Sequence, residues 1–295
     1  MKLKIFLTVA FLFLLTSITL LAQDSTKSKV KWGWSWEFDE FDEWMHISEK
    51  LPTISLQYGL SIPDHKNISS EFINTGLVEL QLGYTTKATR KYASYLSKYV
   101  RRDLYISFIS KDLNNQMADT NKINSRTWRF GFSRSSGYGY KFGNFVILPY
   151  YSYSLDWSRV DFPNTVANAV DQNRLNRFDE SFRFGTSNEG GIRISVTSLI
   201  SLEAGYQRSI IFERHLFWGW TGSAVIEVAA HEFLDAFVKE ILKRSPAAGP
   251  IVYFFLKNAL GYGIYELRRE KMNWPFVSVA PLSFDSFKFG VTFTF

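Results

Sequence analysis

The sequence predicts an all-β protein, a transmembrane antiparallel β-barrel with a helical insertion before its last strand. Three observations carry the prediction. Segments of about nine to twelve residues alternate apolar and polar side chains again and again, the strand pattern of a membrane barrel. Aromatic residues make up 17% of the 295 residues, yet mean hydropathy is only −0.11, as alternation requires. The chain closes on "SFKFGVTFTF", where Phe287, Phe289, Val291, Phe293 and Phe295 share one face. In water such a terminal strand is an aggregation hazard; against lipid, with its edge paired, it is a wall.

The N-terminus comes first. Lys2 and Lys4 precede an apolar run from Ile5 to Leu21, and Ala22 offers a small residue before Gln23 and Asp24. This order is that of a cleaved secretory signal, expected over residues 1–22, although Leu20 is bulky for a position just before the cut. Lys2 and Lys4 leave with it, taking the net charge from +6 to +4. The remaining charges are scattered and balanced, which argues against nucleic acid as a partner. With no cysteine, disulfides, thiolate metal sites and a cysteine nucleophile are excluded. Beyond the leader no run of 18 apolar residues occurs, so a conventional membrane-spanning helix is not expected.

Residues 23–52 form an aromatic and acidic segment expected in the periplasm. Within it, "KWGWSWEFDEFDEW" reads as an interfacial aromatic girdle with a solvated acidic edge, or as an element that docks in the barrel mouth. Trp32, Trp34, Trp36 and Phe38 also alternate, so a short strand is open there.

The barrel is expected over residues 53–295. Ile54, Leu56, Tyr58, Leu60 and Ile62 alternate with Ser55, Gln57, Gly59 and Ser61; Val78, Leu80, Leu82 and Tyr84 alternate with Glu79, Gln81 and Gly83. Leu104, Ile106 and Phe108 follow, then Trp128, Phe130 and Phe132 opposite Arg129, Gly131 and Ser133. "NFVILPYYSYSLDW" is apolar on both faces. Two further runs flank a tight turn near Ser198. A soluble β-sandwich also alternates, but its polar face would be rich in Lys and Glu; here it is mostly Ser, Gly, Thr and Gln. Sparse opposite charges, Glu79 and Glu203 with Arg129, Arg183, Arg193 and Lys288, suit an ion-paired lumen.

With its leader, its amphipathic strands and its terminal "FGVTFTF", the sequence resembles bacterial outer-membrane β-barrel proteins. The resemblance is one of architecture, with no motif that names a functional family. It implies the outer membrane of a diderm bacterium, surrounding lipid, and a terminal aromatic residue read by the barrel-insertion machinery. An envelope protein partner is a further expectation.

Two strand counts satisfy an even number. If Phe182–Thr197 is one strand there are eight, and residues 213–283 leave on the extracellular side; this count is preferred. If "TSNEGG" turns and "PFVSVAPL" pairs, there are ten.

Two segments stand apart from the wall. "KATRKYASYLSKYVRRD" places Tyr92, Tyr95, Leu96 and Tyr99 at helical spacing among cations, suited to lipid headgroups; "DFPNTVANAVDQNRLNRFDE" is an Asn-rich surface loop. The insertion, about residues 223–271, is the candidate functional part. Ile226, Ala230, Phe233, Phe237 and Ile241 line one helical face, with Glu227, His231, Asp235 and Lys239 along another. "SPAAGP" breaks the helix, and "IVYFFLKNAL" begins a second one, expected against the barrel, in its mouth or at the interface. His231 beside Glu232 gives half of a zinc-protease helix, but Asp235 stands where the second His belongs. His231 and Asp235 could still orient a base for a serine nucleophile, and no hydrolase signature accompanies them. No catalytic, cofactor-binding or metal residue is therefore assigned. The expected role is structural or partner-binding, through the loops and the helical insertion. A small-solute pore and a lipid hydrolase using His231 are the alternatives.

Overall fold

A computed structural model of the chain describes residues 45–90, 93–114, 122–143 and 145–295, the side chains of 45–49, 90 and 93–94 apart. The leader and the Trp-rich segment lie outside the described residues. Eight antiparallel strands close into a barrel, each paired with its sequence neighbour and β1 with β8. They are β1 (Met45–Asp64), β2 (Thr75–Arg90), β3 (Ala93–Ser110), β4 (Arg126–Phe142), β5 (Phe145–Asp161), β6 (Phe182–Ser195), β7 (Ile200–Ile211) and β8 (Leu282–Thr294). The helices are α1 (Ala169–Leu175), α2 (Phe217–Arg244) and α3 (Gly249–Glu270).

The count of eight holds. Phe182–Ser195 is one strand, and the segment around Phe276 pairs with nothing in the sheet. Two expectations need correction. β1 starts at Met45, ahead of the expected residue 53. Tyr95, Leu96 and Tyr99 lie in β3, not in a helix; their i, i+4 spacing coincides with strand alternation, because Tyr95 and Tyr99 also share a strand face.

Polarity is inverted relative to a soluble barrel. Ile54, Leu56, Leu82, Ile106, Phe132, Leu202, Phe289 and other outward residues are exposed, whereas inward residues are polar and buried. A continuous apolar exterior around a closed hydrogen-bonded wall is the solution hydrocarbon imposes, since no strand edge is left unsatisfied. The barrel spans a membrane.

Its lumen is filled. Glu203 accepts from Arg101 at 2.8 Å, Arg193 at 2.6 Å and Gln57 at 3.2 Å, and also from Thr292. Lys288 bridges Glu79 at 2.9 Å and Glu189 at 2.6 Å. Arg129 lies 3.9 Å from Asp156, which accepts from Ser187 at 2.6 Å. The expected luminal set is thus assembled, except that Arg183 sits at the mouth and donates to the Arg177 carbonyl at 2.6 Å. A void among these groups holds about 10 Å³, room for one water at most.

At the end away from the chain's described termini, the loop side, a second seal closes the lumen. Leu77, Ile109, Val160, Ile211 and Phe284 from the strands pack with Ile123, Leu175 and Phe178 from the loops. The Asn-rich loop contributes through α1. Its Asp171 accepts from the amides and hydroxyls of Ser69 and Ser70 at 2.9–3.2 Å. Burial opposes the Asp171 charge, but these bonds outweigh it and hold its carboxyl below the ordinary range.

The register also fixes the strand tilt. From Tyr58 the ladder reaches Arg159 through Val78, Phe108 and Trp128. In the other direction it reaches Pro149 through Phe289, Ala204 and Ile192. The two arrivals differ by ten residues along β5, Arg159 against Pro149, the stagger that tilts strands by about 35–45° in a closed barrel.

Removing Glu203 strands Arg193 in the lumen and leaves Arg101 with Asp103 and Gln81. Glu203→Leu should cost about 3–5 kcal/mol, read as a lower denaturant midpoint of the reconstituted barrel. Glu232→Gln, on the outside, should leave the stability within about 0.5 kcal/mol of the parent.

Candidate functional site: a helical hairpin on the barrel wall

The insertion leaves β7 on the loop side, yet it does not stay there. Near its start, Trp220 packs on Phe184 with ring centroids 5.2 Å apart. Near its end, Val238 and Leu242 pack on Leu96 of β3. α2 therefore runs down the outside of the barrel towards the termini side, and α3 returns. Just before α3, the Ala247 carbonyl accepts from Tyr140 at 2.5 Å; at its end Arg269 pairs with Asp64 and Glu270 with Lys66.

Geometry shows how α3 lies. Crossing the ladder from Tyr140 leads to Ile147, Ile194, Leu202, Val291 and Leu56, and Asp64 lies eight residues farther along β1. Five strand spacings of about 24 Å and eight residues of about 26 Å place the ends about 35 Å apart, at roughly 43° to the strands. That lean matches the strand tilt and follows the direction in which the ladder climbs, so α3 stands nearly parallel to the barrel axis. Its 22 residues measure about 33 Å, close to the thickness of a hydrocarbon core.

Neither helix is long and apolar enough to cross a membrane on its own, nor is any other helix among the described residues. The reason is their amphipathicity, which runs opposite to that of a soluble surface helix. Phe233 is 78% exposed and Phe255 65%, and Val225, Val228, Phe237 and Ile251 also face outward. The polar stripe Glu227, His231 and Asp235 turns instead towards the wall. Opposite it the wall is polar as well: Ser136, Tyr151, Tyr153, Thr186 and Asn188 occupy outward positions of β4, β5 and β6, where bare strands carry Phe and Ile. Tyr151 is only 6% exposed because the hairpin covers it.

Hydrogen bonds run the length of this seam. Arg268 pairs with Glu227 at 2.9 Å, donates to Ser223 at 3.0 Å and reaches Thr186 at 3.5 Å. Lys257 donates to Asp235 at 2.7 Å and lies 3.3 Å from both Nδ1 and the carbonyl of His231. The Tyr151 hydroxyl stands 3.4 Å from His231 Nε2. Asn188 donates to the Gly261 carbonyl at 3.2 Å, Ser136 and Tyr253 share a 2.5 Å bond, and Tyr265 donates to Asp285 at 2.8 Å. Arg208 is sandwiched between Tyr206 and Tyr262, 4.7 Å from each ring. Two glycines allow the close approach: a Cβ on Gly190 would sit 1.9 Å from Asn258 Oδ1, and one on Gly261 2.8 Å from the Tyr151 ring.

The His231–Asp235 pair of the hydrolase alternative is not formed. Both groups bind Lys257 instead, and among the described residues no serine hydroxyl hydrogen-bonds to His231. No cluster of metal-ligating groups occurs among them either. What the sequence reading missed is the wall half of the seam, together with Lys257 and Arg268. Lys257 carried a signal, as a lone cation inside the run "IVYFFLKNAL".

The Cys-free chain permits a clean test. Gly190→Cys with Asn258→Cys should form a disulfide in native membranes, seen as a reductant-sensitive mobility change, and Gly190→Cys alone should not.

No family model matches the sequence, and no curated protein matches it. Among solved structures, the chain is similar to the neisserial surface protein A, at 12% identity and a TM-score of 0.39, over 83% of this chain and 97% of that one. It is also similar to Ail, the attachment invasion locus protein of Yersinia pestis, at 6% identity and a TM-score of 0.30, over 84% of this chain and all of that one.

Proposed function

We propose that the chain is a sealed outer-membrane barrel that serves as a binding module, with the wall-mounted hairpin as its contact element and no catalysis of its own. The observation that carries this reading is that eight strands close without the hairpin, yet a seam of paired side chains holds it at membrane depth. A structural barrel needs no such addition. The polar wall stripe makes sense only with the hairpin in place, so the two are built for one another. The apolar outer side of the hairpin is then the surface that distinguishes this barrel from a plain one.

Localisation follows from the same physics. An apolar belt around a charged, closed lumen suits an outer membrane, and the short turns after β2, β4 and β6 lie on the same side as the described termini, as periplasmic turns do. The termini side then faces the periplasm. The pore alternative has two seals against it, the luminal ion network and the apolar core at the mouth. Against the hydrolase alternative stands His231, whose two ring nitrogens face Lys257 and Tyr151.

Photo-crosslinking residues placed at Phe233, Phe255 and Phe289 in the full-length protein test the reading in native membranes. Protein adducts are expected at the two hairpin positions and only lipid adducts at Phe289. Lipid adducts alone at all three positions would remove the binding role. Planar bilayers containing the protein should show no conductance above baseline; reproducible channel events would remove the sealed lumen.

A further inference from the structure

One charge on the hairpin is unlike the rest. Glu232 is exposed on α2, on the lipid-facing side with Val225, Val228, Ala229, Phe233 and Ala236. Among the described residues it makes no hydrogen bond and no ion pair, whereas Glu227 on the opposite face, His231 beside it and Asp235 one turn on are all engaged. Lys257, which the Glu232 charge reaches, donates to Asp235 at 2.7 Å. Asp235, its side chain 44% exposed, lies one turn on and holds Lys257; the next exposed charge on α2 is Lys239, seven residues on, about 10 Å along the helix. A carboxylate on a hydrocarbon-facing surface is expensive, and such groups ordinarily pair with a cation supplied by a neighbour. Ala229 and Ala236 lie one turn to either side of Glu232, and small residues on a helix surface let another backbone approach closely.

Resting on the binding-module reading, we propose that this face of α2 docks a membrane-embedded segment of another envelope protein, an apolar surface carrying one Lys or Arg that pairs with Glu232. Acyl chains gain nothing from a carboxylate, so lipid alone does not account for it. A second copy of this chain is the weaker match: the outward cations of the nearby wall, Lys98, Arg102 and Arg134, each already have a partner. The same face on a second copy brings another carboxylate, not a cation.

The test uses the full-length protein in phosphatidylethanolamine–phosphatidylglycerol vesicles, labelled at one introduced cysteine. The probes are two synthetic Leu-Ala transmembrane helices, one with a single Lys at the depth of Glu232 and its twin with Leu there. Energy transfer should show the Lys helix associating about tenfold more tightly. Glu232→Gln should abolish the difference, and Glu232→Lys should transfer the preference to a helix bearing Glu. Retained heat-modifiable mobility would show that each variant is folded. Equal association of the two helices, or a Lys preference that survives Glu232→Gln, would overturn the proposal. Self-association without peptide that Glu232→Gln abolishes would assign the face to a second copy and overturn it too. A protein adduct at Phe233 that persists in Glu232→Gln would leave the binding module standing while removing this account of its partner.

Discussion

Hydrocarbon offers no hydrogen bonds, and from that constraint the rest of this molecule follows. A sheet in lipid must close, because an open edge would leave a row of amides and carbonyls unpaired. Closure at eight strands makes the lumen narrow, and every second residue of each strand must fit inside it. Ser, Gly and Thr fill most of that space, and the few charges admitted are bonded to one another. Glu203 alone gathers Arg101, Arg193, Gln57 and Thr292. Such a network is poor evidence of gained stability, but it fills the middle of the lumen with paired side chains.

The same constraint explains why the hairpin needs a partner surface. Either helix by itself would carry Glu227, His231, Asp235, Lys257 or Arg268 into lipid. Docked on the wall, those groups meet Tyr151, Thr186 and one another, while Phe233, Phe237 and Phe255 face outward. The wall gains as much: without the hairpin, Tyr151, Asn188 and Arg208 would lie on an otherwise apolar exterior. Two surfaces unfit for hydrocarbon thus cover each other.

Much of the wall was legible because a strand declares itself by period two, and one slip of register would turn Glu79 and Arg193 out into lipid. The stretch around Tyr151 was unclear for a physical reason. β5 carries Val146, Leu148 and Tyr150 inside and Tyr151 and Tyr153 outside, under the hairpin, so neither face follows the lipid-against-lumen rule. The first half of β3 misled because tyrosines four apart satisfy helix and strand alike. In the hairpin, sequence showed that α2 is amphipathic but not which side faces the protein. That decision belongs to the solvent: the same stripe of Ile226, Phe233 and Phe237 that would seek a core in water is left outside in lipid.

Hydropathy scoring fails for these helices for a related reason. It averages around a helix, and the average is meaningful only when all sides meet one medium. α2 and α3 meet two. Half of each circumference is solvated by protein, where Lys257 has Asp235 and Arg268 has Glu227, and half by hydrocarbon. The quantity that decides insertion is the polarity of the side left over after docking. On that side, between the exposed Arg214 and Lys239, Glu232 is the exposed charge. A helix pair that averages as too polar to span is, as assembled, apolar to the lipid with one residue excepted, and that residue is where a specific contact would have most to gain.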